Sequence, residues 1–157
     1  MRVPLVSIKI DNRQAAHAPG EMLSGEYQID AVEADELRGV ELSVLWYTEG
    51  KGDEDLGVHH FERRTDEDED PTPLTELRKF SVTLPNSPLS YEGVLIKLRW
   101  CVRVRVFLKS GRNYFGELPF RLGTVPEARL VAPPADATEV VAAATAAESA
   151  TREEAKS

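Results

Sequence analysis

Ile96 to Lys109 reads IKLRWCVRVRVFLK, and its alternation decides the fold. Ile96, Leu98, Trp100, Val102, Val104, Val106 and Leu108 take one side; Lys97, Arg99, Cys101, Arg103, Arg105, Phe107 and Lys109 take the other. Successive side chains of a strand point to opposite faces, so the segment has one apolar face and one largely cationic face. Burying the apolar row contributes roughly 10–20 kcal/mol gross, at about 1.5–3 kcal/mol per large side chain, most of it offset by chain entropy. At about 3.3 Å per residue the strand would span roughly 40 Å, well beyond the usual length. A bend or bulge is therefore expected, near Cys101.

Working outward, six further segments alternate in the same way. Val3 to Ile10 puts Val6, Ile8 and Ile10 on one side, and a strand around Tyr27 and Ile29 follows the Pro19-Gly20 turn. Val40, Leu42, Val44 and Trp46 share a face. LGVHHFERR alternates less cleanly. Phe80, Val82 and Leu84 point inward from the fifth strand, and Tyr114, Leu118, Phe120 and Leu122 from the last. Between them lie turn signals such as GKGD and SGRN, the acidic run TDEDEDPTP and the connection PNSPLSYEG. Seven such segments, with no helical period before residue 125, predict an all-β fold, an antiparallel two-sheet sandwich over residues 1–125. Residues 126–157 turn rich in Ala, Glu, Thr and Pro. They read as a flexible or marginally helical tail, with Asp136 or Thr138 to cap a helix over about 139–154.

The bulk numbers exclude several function classes. The 157 residues carry a net charge of −8, with 41% hydrophobic and 29% charged residues. That composition is normal for a soluble globular protein, and the charge argues against general nucleic-acid binding. No window is apolar enough for a membrane span, and the N-terminal run is too short and interrupted for a signal peptide. Cys101 is the one cysteine, so an internal disulfide is impossible and a reducing, cytoplasmic setting fits.

Several stretches resemble the arrestin-like family of sandwich domains, which includes bacterial sporulation-control proteins. HAPGEMLSGEYQI resembles the family's PGE-x-(V/I)-x-G motif, LPNSPLSYEGVLIKLRWCVRVRV its LP…SY-x-G…I-x-W-x-VRV segment, and ELPFRLG the strand after it. In order, the three cover most of residues 3–123. The resemblance implies an immunoglobulin-like sandwich and a non-enzymatic adaptor that binds other proteins, often the cytoplasmic parts of membrane proteins. The family typically carries two such domains in tandem; this sequence has the length of one. A structural subunit of a larger assembly is the alternative; homo-oligomers formed by edge-strand pairing belong with the interaction reading.

Lys97, Arg99, Arg103 and Arg105 are the candidate partner-binding residues, able to grip phosphates or carboxylates. The competing reading makes them a wet sheet face whose arginines pair with Glu41 and Glu117 on neighbouring strands, and it is favoured. His59 and His60 should point to opposite faces and so share no ion; His17 is remote. No metal or cofactor is expected. Neither Asp66–Asp70 nor the GDEDLG stretch has the offsets of a calcium loop. No nucleophile elbow or phosphate loop occurs, and no catalytic residue is assigned. A small enzyme or ligand-binding domain built on His59, His60 and Asp53–Asp55 is the weaker reading. Flanking arginines would lower the Cys101 thiol pKa, but a covered structural cysteine is favoured. Trp46 and Trp100 are core candidates. The edges most open to a partner strand are Val3–Ile10 and Val58–Phe61.

Overall fold

The inward row of the long strand meets apolar rows from every neighbour in the computed structural model, which describes residues 3–52 and 54–123. Among the described residues there are eight strands: β1 (Leu5–Ile10), β2 (Met22–Asp30), β3 (Leu37–Gly50), β4 (Leu56–Thr65), β5 (Arg78–Thr83), β6 (Tyr91–Glu92), β7 (Ile96–Leu108) and β8 (Asn113–Phe120). One sheet has the order β1-β2-β5; the other has the order β4-β3-β7, with β6 and β8 sharing the far edge of β7. Every strand pairing is antiparallel. This is the expected all-β sandwich. The eighth strand is the two-residue β6, which sits inside the PNSPLSYEG connection and pairs with Lys97 and Leu98. The expected tail, and Asp53, lie outside the described residues.

Trp100, Val102, Val104 and Val106 of β7 are fully buried, facing Trp46, Val44, Leu42 and Val40 of β3 in register. Leu23, Tyr27 and Ile29 of β2 and Phe80, Val82 and Leu84 around β5 complete the core. Trp100 fills its centre: the ring is tilted against Phe120 at 5.9 Å, and Nε1 donates to the Pro88 carbonyl at 2.7 Å. That bond satisfies the one polar atom the indole buries. Gly25 lies where β2 is squeezed between its neighbours. A Cβ there would sit 2.1 Å from the Lys9 carbonyl oxygen and 2.8 Å from the Phe80 ring, so only glycine fits.

No bulge occurs at Cys101. β7 keeps register with β3 from Ile96 to Phe107, because β3 is equally long and offers a continuous ladder. The irregularities fall on the neighbours. One is at Leu37/Gly39; the other lies between β3 and β4 at Val44/Leu45, where His59 is the extra residue.

The acidic run forms the crossing from β4 to β5, and three of its carboxylates are used to hold it. Asp66 reaches Lys109 at 3.6 Å, and Asp68 accepts bonds from the amide and hydroxyl of Thr65, both at 2.9 Å. Asp70 accepts the Thr72 amide at 3.0 Å and Arg78 at 3.2 Å, and stands 3.7 Å from the buried Arg64. The Thr72 amide above all, then Arg78 and Arg64, hold the Asp70 carboxyl down at about 2. A depressed carboxylate stabilises the fold above its ordinary pKa, and that contribution is lost as pH falls. Urea unfolding should therefore show a midpoint that drops as pH falls from 3.8 toward about 2. Asp70→Asn should be weaker than the parent at neutral pH and should flatten that acid limb.

Candidate functional site

The cationic residues of β7 lie on its outward face, strung along the strand rather than gathered at a point. Lys97 is 3.6 Å from Glu92, and Arg99 reaches Glu49 at 3.2 Å and Glu92 at 3.6 Å. Arg103 donates through Nε to Glu117 at 2.6 Å and through Nη2 to the same oxygen, with its guanidinium over the Phe115 ring at 5.4 Å. Glu117 is thus the partner anticipated for an arginine here. Glu41 faces Arg105 in register, yet its carboxylate turns to Arg63 of β4 at 3.7 Å. Among the described residues Arg105 has no carboxylate within 4.0 Å. Exposed pairs of this kind are worth about 0–1 kcal/mol each, so they balance the face without fixing it.

Cys101 shares that face but is 1% exposed, between Leu45 of β3 and Pro119 of β8. Burial pushes its thiol up to about 12, and Glu117 adds to the rise. Arg103 opposes it and loses, so the neighbouring cations do not yield a reactive thiolate.

The bulge corrects the reading of the paired histidines. With His59 as the extra residue, both side chains fall on the inner side of β4. His59 Nε2 is 2.7 Å from the Thr83 carbonyl oxygen of β5, and its ring meets Trp100 edge-on at 6.2 Å. His60 stands opposite the inward Val44 and 3.5 Å from Glu62, two residues along the same face. His17 is wholly buried elsewhere, against Phe120 and 3.3 Å from Glu21. Among the described residues no group of three or more His, Cys, Asp or Glu side chains could hold a metal ion. Glu54 and Asp55 are exposed in the β3–β4 turn, where the Asp55 amide donates to Thr48.

The same bulge sets the outer side of β4. Leu56, Val58 and Phe61 all point outward and are each more than half exposed. The sequence carried the signal: apolar residues occupy even positions before His59-His60 and an odd one after, a parity break that a single inserted residue explains. Beneath them the inner positions are Gly57, His59, His60, Glu62 and Arg64. A Cβ on Gly57 would lie 2.3 Å from the Trp46 indole nitrogen, so the glycine makes room for that ring. Of the two edges anticipated as open, β1 runs close to β8, Val6 standing 3.0 Å from where a Gly116 Cβ would be. β4 ends its sheet.

No protein-family model matches the sequence, and no curated protein matches it. Among solved structures the chain is similar to Spo0M, a sporulation control protein from Bacillus subtilis, with a TM-score of 0.52 and 15% identity over 78% of this chain. The match takes in 50% of the Spo0M chain, so this sequence spans about half of that protein. Superoxide reductase (neelaredoxin) from Ignicoccus hospitalis also matches, at a TM-score of 0.46 and 11% identity over 75% of this chain and 79% of that one. At that score it carries no argument. The likeness to Spo0M is one of fold, and at that level it agrees with the arrestin-like motifs in the sequence.

Two measurements check this geometry. Cys101 should resist a thiol-reactive dye at pH 8 in the native protein and react fully once urea unfolds it. Stability should fall as pH rises from 9.0 toward about 12, since a thiol raised by folding favours the folded state only while protonated. Arg103→Glu should cost about 1 kcal/mol by urea unfolding, through loss of the Glu117 pair and the Phe115 stack, whereas Arg105→Glu should stay within about 0.5 kcal/mol of the parent.

Proposed function

We propose that this chain is a non-enzymatic protein-interaction module that holds a protein partner on β4. The observation that carries the reading is the row of Leu56, Val58 and Phe61, outward and more than half exposed on a strand that ends its sheet. Single exposed apolar residues are ordinary, but three in a row on one edge form an apolar patch whose removal from water is favourable. Covering them would contribute roughly 2–4 kcal/mol, about half of full burial for each. The bulge at His59 interrupts the ladder, so a partner strand finds regular backbone only on either side of it. The inward-facing His60, Glu62 and Arg64 work against indiscriminate strand pairing, which leaves specificity to the apolar side chains. The basic residues Lys97, Arg99, Arg103 and Arg105 adjoin the same outer face and supply charge for an acidic rim.

Fold and composition support the same picture. The likeness to a sporulation control protein accords with a regulatory or adaptor role. No helix among the described residues is long and apolar enough to cross a membrane. One cysteine and a net charge of −8 suit a cytoplasmic setting, and the arrestin-like motifs favour the cytoplasmic part of a membrane protein as the partner.

Photo-crosslinking in the native host tests this directly. A benzoylphenylalanine at position 58 or 61 should give adducts of the same mass, and one at Lys79 on the opposite sheet should not. Phe61→Glu should abolish the adduct formed from position 58. Adducts of equal yield from position 79 overturn the assignment. An adduct of twice the chain mass identifies a second copy on this face, the homo-oligomeric reading.

A further inference from the structure

A cleft of about 480 Å³ opens beside β7, where β6 stops and β8 has begun. β6 pairs with β7 at Lys97 and Leu98, and β8 pairs with it from Trp100 onward, so Arg99 falls in the gap between them. Three arginines from separate parts of the chain line the opening: Arg13 from the β1–β2 connection, Arg99 from β7, and Arg121 just past β8. Its floor is Leu98 and Phe120, backed by the buried Trp100.

Arg13 and Arg99 are held in place. Arg13 donates to the Pro119 carbonyl at 3.1 Å, which fixes its guanidinium at the rim. Arg99 is braced by Glu49 and Glu92. Among the described residues Glu92 is the one carboxylate in the lining, and Lys97 and Arg99 engage it. The volume lies within the roughly 300–1,000 Å³ range of ligand sites. It suits a short motif rather than a folded surface.

We infer that this cleft binds an acidic peptide segment, with carboxylates among Arg13, Arg99 and Arg121 and an adjoining apolar side chain on Leu98 and Phe120. Planar guanidinium forks match carboxylates with two parallel hydrogen bonds, and prior bracing lowers the ordering cost of making them. The apolar floor next to the charges selects a carboxylate carried beside an apolar group over a bare ion. An acidic chain with this basic recess also disfavours nucleic acid, whose many phosphates would meet the net charge of −8. Arg99 also belongs to the basic rim of the outer face, but Arg13, Arg121, Leu98 and Phe120 take no part in the β4 reading, so neither reading depends on the other.

Fluorescence polarisation on the full chain tests it with a labelled hexapeptide of alternating Glu and Leu, and with the matching Gln/Leu peptide. The Glu peptide should bind, weakening as salt rises, and the Gln peptide should bind at least about tenfold more weakly. Arg13 is exposed on a loop, so its replacement leaves the core intact. Arg13→Glu should lose about tenfold in affinity for the Glu peptide, with Arg13→Lys between it and the parent. Equal binding of the two peptides, binding of neither, or an unchanged Arg13→Glu variant overturns the proposal. Displacement of the Glu peptide by an equal concentration of N-acetylglutamate overturns the peptide assignment in favour of a free small acid.

Discussion

The ladder between β3 and β7 is the constraint on which everything else rests. Both strands are long, and they stay in register from Gly39 against Phe107 to Gly50 against Ile96. That register aims Val40, Leu42, Val44 and Trp46 to the same side as Val106, Val104, Val102 and Trp100. A slip of β7 by one residue would turn its apolar row to water and bring Arg103 and Arg105 into the core. Trp100 locks the arrangement, because its indole must meet both Phe120 and the Pro88 carbonyl.

The two sheets differ in strand number, and β4, the strand of inverted polarity, ends the larger one. The larger sheet extends past β3 to β4, while the smaller one stops at β5. The inner side of β4, at the end of the larger sheet, carries His59, His60, Glu62 and Arg64, which find partners at the rim: the Thr83 carbonyl, one another, Asp70 and the Thr72 carbonyl. Its outer side carries Leu56, Val58 and Phe61 instead. Here the sandwich departs from inside-apolar patterning, and such departures mark places where a surface serves something other than folding.

Charge is largely consumed by structure elsewhere. The acidic run between β4 and β5 looks like a solvated loop in the sequence, yet Asp66, Asp68 and Asp70 each tie down a named group. The basic row on β7 meets Glu49, Glu92 and Glu117. Arg99 is braced in the same way, and at the cleft it also adjoins the carbon surface of Leu98 and Phe120.

Two-residue periodicity determined the sandwich, its inward rows and Trp100 as a core residue, since alternation is a local property that any buried strand must display; the neighbours of β7 followed from the type of sandwich. The motifs around Pro19, Leu84 and Trp100 pointed to the same fold. Cys101 shows where local reading stops: cations two residues away argued for a lowered thiol pKa, and only the neighbouring strands supply the burial that raises it. The bulge at His59 was present as a break in parity. Reading that break as an insertion requires the partner ladder, because a residue is extra only relative to what it pairs with. The cleft was invisible for the same reason. Arg13, Arg99 and Arg121 are far apart in the chain, and they converge because β6 and β8 leave a gap on one edge of β7, which is decided by tertiary packing alone.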